Sequence, residues 1–515
     1  MRPQFFALTV FAAIAVFSES ADAAAFTSNP YTPGGDIISL SHNHPAADSE
    51  SREATSSTDI ERLETFFGAK MVVNYAELAK YPKGSGASAP WPSSYWPTYE
   101  DGINYIWNAA DRMPPSEKYA RAYGLDPVEF TKKVSQTSGI MSQSMRTKCT
   151  QTSDCAPLKD SSACAKRTGE TSGFCIPTWF GVCHAWAPAA IEEREPRCAV
   201  TKNGVTFQPF DIKALITQMY DGANLDTIFT GTRFNGPDQP VRLDNFDRYI
   251  DPTRRDMGPG FFHIALVNIL GIRKASVVVD VDQDSQVWNQ PVRGYEVMSA
   301  TTLTPSQASQ TFFNTPNYQF NAAAASIVFI QLKFQYVVEA GENGPLVSTN
   351  KVDQYTTTVY YEYILELDTA GNVIGGEWVR ASKKTHPDFL WFPAKPPAMN
   401  AVSDIGIKYS EVRELLDASA DCKQLDAPDS VTPKPAGQAP AAPAPAPMPG
   451  SLPPTPVVPA LTPATPGAPL PTSVVPVVLT PVAGDADIGT VSSPDDAYAA
   501  VAEWLKKWLA GRSSN

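Results

Sequence analysis

Seven cysteines constrain this 515-residue chain more than any other feature. Six of them fall between Cys149 and Cys198, the first four spaced C-x5-C-x8-C-x10-C, and the seventh is Cys422. In an exported protein such a cluster reads as a disulfide-stapled region. The count is odd, so at least one thiol stays unpaired or bonds to another molecule. Cys149, Cys155, Cys164, Cys175, Cys198 and Cys422 can make three bridges if Cys183 is the one left over. Local sequence leaves Cys183 open between half of a disulfide and a catalyst. In Gly181-Val182-Cys183-His184-Ala185-Trp186-Ala187 it precedes a small-residue, aromatic-bearing segment suited to a buried helix. There the free N–H groups and the positive end of the macrodipole lower a thiol pKa from its usual value of about 8.5.

Export is read from the first residues. Met1 to about Ala25 carries Arg2, an apolar run from Phe5 to Phe17, and the small-x-small sites Ala21-Asp22-Ala23 and Ala23-Ala24-Ala25, the pattern of a signal peptide. The apolar run falls short of the ~20 residues a membrane span needs, and no later segment is long and apolar enough. A soluble protein, extracellular or cell-wall associated, with no transmembrane span, is therefore expected. A net charge of −13, a pI near 5.0 and the lack of a basic stripe argue against a nucleic-acid partner.

Phe26 to about Glu53 is Ser, Asn, Pro and Gly-rich without periodicity. Thr58-Asp59-Ile60-Glu61 is a capping box, and Gly68 is placed to end its helix. Pro90-Trp91-Pro92-Ser93-Ser94-Tyr95-Trp96-Pro97 is a rigid aromatic clamp suited to packing on a neighbouring surface. Ile212, Leu215, Ile216 and Met219 recur at helical spacing, and residues Phe229 to Pro259 read as a long surface loop. Phe261 to Gly271 and Ala275 to Asp280 read as two strands around a turn, the first buried on both faces. More strands are expected at Ser326–Val338, Tyr355–Leu367 and Val373–Val379, with turn residues at Gly341–Gly344 and Thr369–Asn372, forming an antiparallel sheet. Between Pro428 and Pro481 stand 18 prolines in 54 residues, an extended spacer. Ser493, Pro494, Ala497, Val501, Trp504, Leu505 and Trp508 then pattern an amphipathic helix suited to docking on protein.

A thiol nucleophile needs a base, and the base needs an orienting group. The chain has five histidines. His42 and His44 lie in the loose segment, and His184 follows Cys183 and points away on a helix, which leaves His263 and His386. His263 at the start of one strand and Asp280 at the end of the next can face each other across the hairpin, with His386 as the second choice of base. The order Cys, His, Asp is that of papain-type enzymes. Asp280, Asp282 and Asp284 share a face if the strand continues, and D-x-D-x-D suggests a calcium loop. Ser285 and Pro291 replace the Gly and Glu of an EF-hand, and a solvated strand end is the competing reading.

The next residues, Val287-Trp288-Asn289-Gln290-Pro291-Val292-Arg293-Gly294, resemble the surface peptide of the transglutaminase elicitors secreted by oomycete plant pathogens such as Phytophthora. Val297 also matches, whereas Tyr295, Glu296, Met298 and Ser299 depart from that peptide. The resemblance spans about Pro90 to Cys422. It implies a secreted, Ca2+-dependent protein-glutamine γ-glutamyltransferase whose core looks like that of the papain-like streptococcal Mac proteases. It also implies roles: Cys183 as nucleophile, His263 as general acid/base, Asp280 as its orienting group, and Asp282 and Asp284 as Ca2+ candidates. Residues 287–299, with Trp288, Asn289, Gln290, Pro291 and Arg293, are implied to be an exposed loop read by a plant immune receptor.

The expected fold class is α+β: a papain-like core, with the nucleophile helix packed on an antiparallel sheet, an N-terminal helical region, a disulfide-stapled segment and a Pro-rich tail. The expected organisation is a signal peptide to residue 25, an N-terminal or pro-region to 145, a catalytic region over 146–425, a linker over 426–484 and a terminal helix over 485–515. The favoured function cross-links protein Gln to protein Lys. A papain-like cysteine protease and a non-catalytic disulfide-rich wall protein are its rivals.

Overall fold

The computed structural model describes residues 57–426 other than 224, 256 and 394, with residues 57 and 58 described by backbone alone. The signal peptide, the loose N-terminal segment, the terminal helix, all but the edge of the proline tract, and the Thr58 side chain of the capping box lie outside the described residues. Helix α1, Ser57–Phe67, is followed by Gly68 at φ +60, the left-handed step that glycine makes most cheaply.

Eight strands build one antiparallel sheet: β1 (Lys83–Ser85), β2 (Thr227–Gly231), β3 (Val278–Asp280), β4 (Asn289–Leu303), β5 (Ser326–Val337), β6 (Thr356–Leu367), β7 (Val373–Trp378) and β8 (Phe389–Pro393). Their order is β7-β6-β5-β4-β3-β8-β2, with β1 on β4. The long strands β5, β6 and β7 fall where alternation and turn residues place them. Asp368, whose carboxylate accepts from the Ala370 and Asn372 N–H groups, closes the β6–β7 turn.

The sheet is covered on both faces, and alternation sorts its side chains. Val277, Val279, Leu390 and Phe392 pack with Phe261, Phe262 and Ile264, whereas Val278, Phe389 and Trp391 pack with Ala187. Ala187 belongs to helix α4, Cys183–Glu192. The other three belong to helix α6, Pro259–Leu266. Residues 261–271, expected as a strand, are thus helical, and Val267–Ile272 continue the helix with π geometry. Gly258 as N-cap and Pro259 at the first position start it. Enclosed on every side, this run shows no polar period, and its length suits a helix better than a strand.

Behind α4, one core joins Trp91, Trp96, Tyr119 and Phe130 to Val182, Ala185 and Trp186, and to helices α5 (Pro209–Gly222) and α7 (Tyr409–Ala420). Tyr119 and Phe130 come from helices α2 (Pro115–Ala122) and α3 (Pro127–Thr137). A boundary at residue 145 therefore cuts through a packed core, which gives a separable pro-region no structural edge. Disulfides Cys149–Cys164 and Cys155–Cys175 staple a small three-stranded sheet, and Cys198–Cys422 ties the end of α7 back across 224 residues.

Candidate active site

The aromatic clamp fixes where α4 begins. The Val182 N–H donates to the Tyr95 carbonyl at 2.7 Å, and the Trp186 indole donates to the Trp91 carbonyl at 3.1 Å. Gly181 has no room for a side chain, because a Cβ there would stand 2.5 Å from the Tyr95 ring. Cys183 is the first residue of the helix and the free cysteine among the described residues, its sulfur buried.

Val287 and Asn289 bond that sulfur. The thiol points to the Val287 carbonyl at 3.7 Å, and the Asn289 side-chain amide donates to Sγ at 3.7 Å. Asn289 is itself fixed, since its Oδ1 accepts from the Trp391 indole at 2.7 Å. Asp280 pairs directly with Asn289 in the β3–β4 register and so leaves the sheet on the α4 face. One Asp280 oxygen accepts from the Trp288 and Asp282 N–H groups, and the other is buried without a partner. Just beyond β5, Glu339 accepts from the Gln290 side-chain amide at 2.8 Å. The Tyr95 and Trp288 rings lie 5.5 Å apart beside the same thiol.

Electrostatics here run against the expected thiolate. Burial pushes the Cys183 thiol up to about 12, hydrogen bonds from Asn289 oppose this, and the charges of Glu339 and Asp280 reinforce it. The helix N-terminus is present, but a buried sulfur near two carboxylates and without a cationic partner stays protonated. Burial also raises Asp280 well above the ordinary carboxylate range, with the Asp282 charge adding to it, and raises Glu339.

The histidines stand elsewhere. His263 lies on α6, across the sheet from α4, with Nδ1 at 2.8 Å from the Tyr363 hydroxyl. The expected hairpin pairing with Asp280 is therefore not formed. His386, the second choice, stacks on Trp378 and turns both ring nitrogens to carbonyl oxygens, of Ser382 at 2.8 Å and Arg254 at 3.1 Å. His184 pairs with Asp221 at 2.8 Å. Among the described residues no histidine hydrogen-bonds to Cys183 or Asp280.

Two further expectations are corrected. Strand β3 ends at Asp280, so the three aspartates do not share a strand face. The Asp284 carboxylate is bonded to Arg254, and Asp282 accepts from the Asp284 N–H at 2.7 Å. Burial, then repulsion from Asp284 and Asp238, raises Asp282 to about 6. Residues 287–299 are not an exposed loop. From Asn289 onward they are β4, held between β3 and β5, with Asn289, Gln290 and Pro291 buried, Arg293 half-buried against Asp353 and Thr356, and Trp288 partly exposed before the strand. Pro291, Val292 and Tyr295 are buried because both faces of this central strand are covered. Sequence reading missed Trp391 and Glu339 as site residues, because nothing local distinguishes either from a core tryptophan or a strand-end carboxylate.

A family model described as transglutaminase elicitor matches residues 59–422. Among solved structures, the crystal structure of the GP42 transglutaminase from Phytophthora sojae matches with 45% identity and a TM-score of 0.66, covering 72% of this chain and 100% of that one. No curated protein matches.

Proposed function

The chain belongs to the transglutaminase elicitor family, and from that premise we propose that Cys183 carries the γ-glutamyl thioester, with Asn289 and Asp280 as its working partners. The protein is a transglutaminase acting on protein substrates. The observation that carries the residue roles is the contact of the free Cys183 sulfur, at the start of α4, with an amide that Trp391 holds in place.

In the first half-reaction, sulfur adds to the γ-carboxamide carbon of a protein glutamine. The thiol proton has to leave sulfur, and the unpartnered buried oxygen of Asp280 supports Asp280 as the group that receives it. Its raised pKa suits an acid that returns the proton to the departing nitrogen as ammonia forms. The Asn289 N–H bonds sulfur at rest, and is placed to donate to the oxyanion as the carbonyl carbon becomes tetrahedral. Exclusion of water from the buried sulfur protects the thioester until an amine arrives. This reading gives His263 no place in proton transfer and moves the acid/base role to Asp280.

The calcium requirement implied by the family is retained as a proposal about the whole protein, not about Asp282 and Asp284. Ca2+ takes about 6 to 8 oxygen ligands. Asp284 is engaged by Arg254, and among the described residues the one converging trio of metal-capable side chains is Cys149, Cys155 and Cys175, all in disulfides. These residues as folded do not fit a calcium cage. No helix among the described residues is long and apolar enough to cross a membrane. The family is secreted and recognised by plants; recognition of the partly exposed Trp288 by an immune receptor, and association with a cell wall, are proposed for this chain.

The test is incorporation of a labelled primary amine into casein by the unaltered protein and by Cys183→Ala, with and without chelator. Incorporation without backbone fragments, lost in the variant, is expected. Casein fragments without incorporation would point to a papain-like protease instead.

A further inference from the structure

We infer that a cavity beside the edge strand β7 binds a small phosphate monoester whose ester group is apolar. The site is separate from the acyl-transfer chemistry and does not depend on it. Trp378, in the cavity wall, packs on Phe262 of α6, whereas Cys183 begins α4 on the other face of the sheet. The cavity has a volume of about 230 Å³ and is partly open to solvent. Pockets for drug-sized ligands run from about 300 to 1,000 Å³, so the occupant is small.

The first observation is an excess of positive charge. Arg248, Arg255 and Lys383 line the cavity, against Glu377 as its one carboxylate among the described residues. The carboxylates whose charges reach Lys383 are Asp247, Asp244 and Glu377, and each is committed to another cation. Arg248 binds Glu377 at 2.7 Å and Asp244 at 2.8 Å, and Lys384 binds Asp247 at 3.1 Å. Two cations are left over. Lys383 holds only the Phe246 carbonyl, at 2.7 Å, and the face of Phe313. The half-buried Arg255 side chain has no hydrogen-bond or ion-pair partner among the described residues. Burial lowers the Lys383 pKa although three carboxylate charges oppose it, as befits an ammonium short of a counter-ion. In a chain of net charge −13, two uncompensated cations at one cavity are a local feature and not a property of the whole surface.

The second observation is the chemistry of the walls. Phe320 lies under the Arg248 guanidinium at 4.3 Å, and with Trp378 it gives the cavity an apolar side next to its charged one. A bare ion leaves that side uncovered. The charge to be matched selects the anionic group. A phosphate monoester carries about −1.5 to −2 at pH 7 and answers both unpaired cations, whereas a carboxylate answers one. A guanidinium fork suits two phosphate oxygens, and an ammonium binds a third as a point charge. Arg255 and Lys383 supply that pair, and the ester group rests on Phe320 and Trp378.

Calorimetric titration of the full chain with phenyl phosphate tests the site. Saturable binding is expected, with phenylacetate and inorganic phosphate each weaker by about tenfold or more, the first lacking charge and the second lacking an apolar group. Arg255→Met should weaken phenyl phosphate by a similar factor and leave the melting temperature unchanged, because the side chain has no partner in the fold to lose. Arg255→Lys should recover part of the affinity, and Lys383→Met should lose about as much as Arg255→Met. No binding at millimolar phenyl phosphate would overturn the site, and so would unchanged affinity in both Met variants. Phenylacetate binding as tightly as phenyl phosphate would overturn the assignment to a phosphate. Cys183→Ala is expected to bind phenyl phosphate as the unaltered protein does, so the outcome stands apart from that of the amine-incorporation assay.

Discussion

Asp280 and Asn289 face each other directly across β3 and β4, so both side chains leave the sheet on the face that carries Cys183. This pairing puts a carboxylate and an amide on the sulfur's side of the sheet, and among the described residues no histidine bonds to that sulfur.

Cys183→Ala should reduce amine incorporation to background and change thermal stability little. The hydrogen bonds at this sulfur are weak ones, 3.7 Å to the Val287 carbonyl and the Asn289 amide, and Ala is a strong helix former. Amine incorporation and a thermal melt of the same preparation check both halves.

Asn289→Ala should lower kcat by about 10²- to 10³-fold, the size of effect seen when an oxyanion donor is removed. Trp391→Phe keeps the ring and deletes only the N–H that orients Asn289, so a smaller loss, about tenfold, is expected, with KM for the glutamine substrate nearly unchanged. Steady-state kinetics of the two variants decide whether Trp391 acts through Asn289.

His263→Gln should retain most of the activity while losing stability, because His263 is buried against Tyr363 on the far side of the sheet. A loss of 10²-fold or more in kcat, with a normal melt, would restore His263 as the base.

Acid should erode the contribution of His386. Burial holds its pKa at about 4, below the unfolded value of 6.5, so the folded protein stays neutral there while the unfolded chain takes up a proton. The stability is fully present above pH 6.5 and is lost as pH falls toward about 4, by up to about 3 kcal/mol. The stability gap between the unaltered protein and His386→Phe should therefore shrink between these two pH values. Comparing the pair in urea cancels the other titrating groups, and a constant gap would contradict the burial argument.

Replacing both Cys198 and Cys422 with Ser opens a closure spanning 224 residues, for which loop entropy predicts a loss of about 5 kcal/mol. The bond ties the end of α7 to the segment before α5, distant in sequence from the catalytic strands. A large fall in melting temperature is expected, with amine incorporation retained at low temperature.

Much of the fold was legible because its signals are local. The clamp at Trp91 and Trp96, the helical spacing of Ile212 to Met219, the alternation in β5 to β7 and the turn at Asp368 each follow from a few adjacent residues. Where burial is complete the signal disappears. Phe261 to Gly271 carries no polar residue except His263 and Asn268, so its helix reads as well as a strand, and the error moved His263 to the wrong element. Val287 to Gly294 identified the family by identity, yet its burial as a central strand could not be read from its residues.

By itself, the sequence determined that an odd cysteine exists, that Cys183 begins a helix, and that an antiparallel sheet lies downstream of it. Only the tertiary structure decided which chemistry meets the sulfur. A strand sends successive side chains to opposite faces, and a covered sheet separates them by its full thickness. Asp280, Asn289 and Trp391 fall on the face of α4, whereas the helix bearing His263 packs on the other. That allocation depends on register and on which helix covers which face, and both are set by contacts between residues far apart in the chain.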